Sequence, residues 1–220
     1  MPSRQVIFSA DSYRRAIADY SRSWRATDQI LYDLCQRYPG HSDQGAVNAK
    51  LWIIGRTYAT GIERRIPADG RQGGSMTKLG EHLLTHGREV DNLFDCLRHL
   101  AEPLDPDKLR AILDLHGRFI ALIRPVLLRN QSPRSFASKY MHFHCPAVPI
   151  FDTYAEAACR KMIRWQEAFD QFDAPTAADR TYVRYVIRFW HLYQQARAAG
   201  LKPTVKHLDH WLLQQERGSA

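Results

Sequence analysis

Residues 132–154 read Ser132-Pro133-Arg134-Ser135-Phe136-Ala137-Ser138-Lys139-Tyr140-Met141-His142-Phe143-His144-Cys145-Pro146-Ala147-Val148-Pro149-Ile150-Phe151-Asp152-Thr153-Tyr154. This stretch predicts a helix opening at Ser132-Pro133, a short proline-framed connection, and a second helix starting after Asp152. Serine as N-cap followed by proline is a start signal, because proline's fixed φ suits the first helical position. The first amides of a helix lack internal partners and carry positive potential. With Ser132, Arg134 and Ser135 beside them, they form a candidate phosphate cradle. Ser138 follows four residues after Arg134, on the same face. The plainer alternative is an ordinary Ser-Pro cap on a surface helix. Asp152 reads as the N-cap of the second helix. A carboxylate pinned there stays ionised, suited to stabilising a developing cation or activating water.

Outward from this segment, helical periodicity dominates. Asp11 predicts the cap of a helix over Ser12–Cys35, closed by Tyr38-Pro39-Gly40. A second helix is expected over Ala46–Arg65, with Leu51, Ile54, Tyr58 and Ile62 at helical spacing. Ile66–Ser75, with Pro67, Gly70, Gly73 and Gly74, reads as a loop. Helices follow over Thr77–His86 and Val90–Leu100. Asp105-Pro106 opens the next, which Pro125 ends near Arg124. After Asp152 a helix is predicted to Phe169. Thr176 is the expected cap of an aromatic helix carrying Tyr182, Tyr185, Phe189, Trp190 and Tyr193, stopped by Gly200. Lys202-Pro203-Thr204 opens the last, through Gln215. Only Val6–Phe8 suggests a strand. The expected fold is mostly α, a single unit over residues 1–220. Two lobes are allowed, residues 1–104 with the C-terminal helices against residues 105–175, flanking a cleft.

Composition sets the class. The chain has 220 residues, 45% hydrophobic and 25% charged, ordinary values for a globular protein. It lacks an apolar run of membrane-spanning length and a secretory-signal core at its start, so no membrane partner is expected. Cys35, Cys96, Cys145 and Cys159 are widely spaced, without a CxxC pair. They predict reduced thiols in a cytoplasmic protein. The net charge is +8, and only seven of the 31 Lys and Arg residues are lysine. An arginine-biased basic chain points toward nucleic acid, since guanidinium binds phosphate in a planar, bidentate way.

The order of capped helix, short loop, Pro149-Ile150-Phe151-Asp152-Thr153-Tyr154 and second helix resembles the helix-hairpin-helix DNA glycosylase superfamily. The likeness covers roughly Leu128–Arg160. The wording Ser135-Phe136-Ala137-Ser138-Lys139-Tyr140, Lys50–Tyr58 and Ile62–Arg65 is similar to small bacterial 8-oxoguanine-glycosylase-like proteins, some associated with antiphage defence. The resemblance implies a helix-hairpin-helix bundle that excises a damaged or modified base from double-stranded DNA, in repair or in defence, as a monomer and without a cofactor. It implies Asp152 as the catalytic aspartate. The hairpin glycines are absent, Arg129-Asn130-Gln131-Ser132 standing in their place. Arg134, eighteen residues before Asp152, occupies the position of the family's lysine. Arginine cannot form a Schiff base at neutral pH. Lys139 is therefore the candidate nucleophile, or the partner that fixes Asp152 by pairing.

Phosphate contacts are expected from Asn130, Ser132, Arg134, Ser135 and Ser138. The base-pocket candidates are Trp52, Arg56, Tyr58, Glu63 and His142, since a flipped base needs aromatic walls and a polar group at its edge. His142 and His144 are two apart on a helix and face different ways, and with Cys145 they do not make a metal site. Arg180, Arg184 and Arg188 recur every four residues, as a solvated face or a phosphate-tracking ridge. Two other readings stay open: a non-catalytic DNA-binding helical module, and a helical protein-interaction domain. The excised base is not specified; an oxidised purine and a phage-modified pyrimidine both fit.

Overall fold

The computed structural model describes residues 8–67, 74–129, 132–163 and 173–217. The expected strand lies almost wholly outside the described residues, as do Asn130 and most of the glycine loop. Among the described residues there are ten α-helices and no strand. Among the described residues no helix is long and apolar enough to cross a membrane.

The predicted first helix is two: α1 (Ala10–Ser23) and α2 (Arg25–Arg37), broken at Trp24. The hydroxyls of Ser21 and Ser23 bond back to the carbonyls of Ile17 and Asp19, at 3.0 and 2.8 Å. Such back-bonds compete with the helix ladder and bend it. The cap is Ser9, whose Oγ accepts from the Ser12 amide. Asp11 lies inside the first turn and pairs with Arg14.

The second predicted helix ends early. α3 (Gln44–Trp52) runs into a π-type turn at Ile53–Thr57, and a short 3-10 turn follows at Glu63–Arg65. The Gly55 carbonyl accepts from both the amide and the hydroxyl of Thr60, at 3.3 and 3.1 Å, which pulls the chain out of the helix. Ala59 and Gly61 then take left-handed backbone angles, φ +48° and +64°.

α4 (Gly74–Thr85) and α5 (Gly87–Arg98) lead to α6 (Pro106–Ile123). Asp105 caps α6 as expected, its carboxylate accepting from the Lys108 amide at 2.9 Å. Pro125 falls in a 3-10 turn at Arg124–Val126 that closes it. α7 (Arg134–His144) opens without a side-chain cap; Pro133 occupies that position and Ser132 points elsewhere. α8 (Thr153–Met162) is capped by Asp152. α9 (Arg180–Ala198) is capped by Asp179, not Thr176. Gly200, at φ +76°, ends that region, and α10 (Val205–Arg217) follows, with the Thr204 hydroxyl accepting from the His207 amide.

α7 is the buried axis. Every residue from Phe136 to Phe143 is buried, and the helix packs against α2, α5 and α6. The two ends of the described chain meet where α10 packs on both α1 and α8. Arg188, expected on an exposed ridge, is buried on α9 and donates to the Ile163 carbonyl at 3.2 Å. The arginine ridge is therefore not a solvent face along its length.

Close approach of α6 to the segment before α9 depends on Gly117. A Cβ there would sit 2.1 Å from the Ala177 carbonyl oxygen. Gly117→Ala is expected to destabilise the fold by about 3 kcal/mol, read as a lowered urea midpoint.

Buried neutral histidines set a second expectation. Burial holds His41 and His116 at about 4 and His142 at about 3, below the ordinary 6.5. Unfolding releases them to take up protons, so their contribution is complete above about 6.5 and is lost as pH falls toward the folded values. The urea midpoint should drop steadily between about pH 6.5 and 4.

Candidate active site

The loop before Asp152 is held from three sides. Nδ1–H of His142 donates to the Val148 carbonyl at 2.8 Å, and the Tyr182 hydroxyl donates to the Pro149 carbonyl at 2.5 Å. The buried Ser138 hydroxyl donates to the Ser135 carbonyl at 3.2 Å and accepts from the Phe151 amide at 2.9 Å. A loop tied at successive backbone groups holds its next side chain in place. That side chain is Asp152.

Asp152 Oδ1 accepts from the Tyr154 amide at 3.0 Å, as an N-cap does. Oδ2 accepts from Lys139 Nζ at 3.0 Å, and Nζ also donates to the Tyr58 carbonyl at 2.9 Å. The Lys139 side chain is 4% exposed and that of Asp152 is 25%. The pair thus has a buried amine and an open carboxylate face.

That face looks into a cleft of about 480 Å³. Its walls are the α1–α2 junction (Asp19, Ser23, Trp24), the turn Thr57–Ala59, Lys139, Ile150, Asp152, Tyr154, and the α10 residues Lys206, Asp209, His210, Leu213 and Gln214. The volume is that of a small-molecule site. Trp24 and Tyr154 are among the few large apolar side chains left exposed, and both stand on this cleft.

A second charged group lies beside the pair. Lys206 Nζ is 3.1 Å from Asp28 Oδ2 and 3.9 Å from Asp209 Oδ2. It also lies over the Tyr20, Tyr58 and Phe143 rings. The Tyr58 hydroxyl donates to the other oxygen of Asp28. Burial and then the Asp28 charge push the Tyr58 phenol far above its ordinary value, so it stays neutral and donates. At the rim, Asp19 Oδ2 accepts from Gln214 Nε2 at 2.7 Å and from His210 Nε2 at 3.2 Å.

Among the sequence candidates, the structure brings together Asp152, Lys139 and Tyr58. The others lie apart. Arg56 stacks on Trp52, 4.0 Å from the ring, and pairs with Glu63 at 2.9 Å. These three form their own surface cluster and do not line the cleft. His142 is fully buried. Because Nδ1 donates to a carbonyl and the ring is neutral, Nε2 accepts from the Tyr32 hydroxyl. It supports the loop and walls no pocket. Ser138 is buried and cannot reach a phosphate. Arg134 makes a two-pronged pair with Asp179, Nε–Oδ1 and Nη2–Oδ2 both 3.0 Å, and the Ser132 hydroxyl donates to the same carboxylate at 3.1 Å. These residues fasten α7 to α9 and are already engaged. Ser135 is part-exposed at the start of α7.

Asp28, Lys206, Asp209, His210 and Gln214 were not foreseen. One signal was present: Asp28, Leu31 and Cys35 share a buried stripe of α2. A carboxylate on an apolar stripe needs a partner.

Comparison of the chain with protein-family models, curated proteins and solved structures finds no match.

Ser138→Ala would leave the buried Phe151 amide unsatisfied. The expected cost is about 1–3 kcal/mol of stability, measured by urea denaturation, with the urea slope unchanged.

Proposed function

We propose that the cleft is the active site of a DNA glycosylase that releases a damaged or modified base by breaking its N-glycosidic bond. The observation that carries this reading is the Lys139–Asp152 pair, with the carboxylate at a helix N-terminus and turned toward a cleft of about 480 Å³. N-glycosidic cleavage develops positive charge on the sugar. A fixed anion in a site that excludes water stabilises that charge without reorganising.

In this reading the nucleotide leaves the duplex and its base enters the cleft, walled by Tyr58, Ile150 and the aromatic rim of Trp24 and Tyr154. Unstacking costs a few kcal/mol, which the pocket contacts offset. Asp152 lies against C1′ and guides the attacking water. The helical pair α6 and α7 takes the part of the hairpin motif, and the cleft runs between two lobes. Lys139, donating to the Tyr58 carbonyl and to Asp152, first serves to position Asp152. In a weak lyase branch the neutral amine attacks C1′ as the base departs with the bonding electrons and takes a proton. The nitrogen loses a proton as C1′–O4′ opens to an imine and O4′ is protonated. Loss of the C2′ proton then expels the 3′-phosphate, and water hydrolyses the imine. The net charge of +8 suits a DNA partner.

Two assays test the reading. A duplex with a cationic pyrrolidine in place of one deoxyribose mimics the charged sugar and carries no base. Wild-type protein should bind it at least about 10²-fold more tightly than plain duplex, and Asp152→Asn should lose that preference. Released bases from damaged and phage-modified DNA are read by mass spectrometry, where Asp152→Asn should release base about 10²–10³-fold more slowly. Equal release by the variant would overturn the role given to Asp152; no release by wild type, with no preference for the cationic duplex, would leave a non-catalytic DNA-binding module. Borohydride trapping during reaction on substrate DNA tests Lys139: no covalent adduct means no Schiff base.

A further inference from the structure

Two buried carboxylates, Asp28 and Asp209, lie with the part-open Asp152 and two lysines at and beneath the cleft. Lys139 is matched to Asp152 at 3.0 Å and Lys206 to Asp28 at 3.1 Å. Asp209 is the one left over. Its Oδ2 is 3.9 Å from Lys206, and its Oδ1 has no hydrogen-bond partner among the described residues. The side chain is 3% exposed and lines the cleft. Burying a carboxylate without a full counter-charge favours its neutral form.

We propose that Asp209 is the general acid of the site, donating its proton to the departing base while Asp152 stabilises the sugar. This rests on the glycosylase reading of the cleft. As the C1′–N bond breaks, its electron pair passes to the base, and the Asp209 O–H proton moves to an acceptor atom on that base. The Asp209 carboxylate that results faces the Lys206 ammonium. Water adds to C1′ through oxygen and gives up one proton to solvent. Solvent returns a proton to Asp209. The sum is base–N-glycoside plus water giving free base and sugar hydroxyl.

The surroundings agree with that role. Burial pushes Asp209 up to about 7; the Lys206 and Lys139 cations lower it, and the Asp152 and Asp28 carboxylates raise it. The other titratable groups that feel it are the phenols Tyr20, Tyr32 and Tyr185 and the thiol Cys159, all pushed well above their ordinary values and neutral at pH 7. Two carboxylic groups in one cleft, one open and paired, one buried and unmatched, divide acid from base.

The test compares wild type with Asp209→Asn, which keeps shape and a donor but has no proton to transfer. The single-turnover rate of base release by wild type should fall as pH rises through about 7. Asp209→Asn should be slower by about 10²-fold or more and lack that limb. Its affinity for the pyrrolidine duplex should stay within about threefold, as only the chemical step is touched. Carbon-13 NMR of the free protein should show one aspartate carboxyl, absent in the variant, titrating near 7. The folded value lies above the ordinary 3.8, so the contribution of Asp209 to stability is complete below the unfolded value and is lost as pH rises through the folded one. Asp209→Asn should therefore raise the thermal midpoint at pH 8. An unchanged rate and pH limb, an Asp209 carboxyl titrating with the ordinary aspartates, or a lowered midpoint at pH 8 would each overturn the proposal. Base release by wild type alongside any of these failures leaves the glycosylase reading intact; no release by wild type removes both.

Discussion

The ammonium of Lys139 joins three distant pieces of chain. It is anchored in α7, donates to the carbonyl of Tyr58 after the π-type turn, and holds the carboxylate that caps α8. A buried amine needs such acceptors, because an unpaired buried charge costs several kcal/mol. The turn at Tyr58 and the loop before Asp152 therefore cannot settle independently. Each is positioned by satisfying the same donor. The neighbouring Ser138 fixes the Phe151 amide, so two consecutive residues of one helix hold both the loop and its carboxylate.

Around this contact the charges are arranged in layers. The Lys139–Asp152 and Lys206–Asp28 pairs lie side by side, linked by Tyr58, whose carbonyl serves one and whose hydroxyl serves the other. Neither pair is evidence of stability in itself, since desolvation offsets much of the Coulomb attraction. What they supply is geometry. Aromatic rings of Tyr20, Tyr58 and Phe143 surround the Lys206 amine and limit how it can move.

The sequence revealed those parts of the fold that local rules decide. Asp105-Pro106, Asp152 and Gly200 act where they were read, because a cap or a left-handed stop depends on a few adjacent residues. Ser132 has the same local grammar as Asp105, yet it is not a cap. Asp179, 47 positions after Ser132 and 45 after Arg134, draws both toward itself. The Asp152–Lys139 juxtaposition was within reach because the two lie thirteen residues apart, in one helix and the loop that follows it. Asp209 was not: Lys206 stands three residues before it on α10, but the other charges around it come from α2, α7 and the cap of α8. Trp52, Arg56 and Glu63 were misplaced for one reason: a continuous helix was assumed where the chain turns out of register.

That register change has a geometric consequence. An α-helix rotates by about 100° per residue, and a π-type turn accommodates one residue more than an α-turn does. The turn at Ile53–Thr57 thus works as a phase shifter between two surfaces. Before it, Val47 and Leu51 are geared to the core; after it, Tyr58 is geared to the cleft. Loss of a single residue from the turn would restore α-helical phase and swing Tyr58 away from Lys139 and Asp28 together. Length is part of what this segment encodes, beside the buried Ile54 and the space at Gly55.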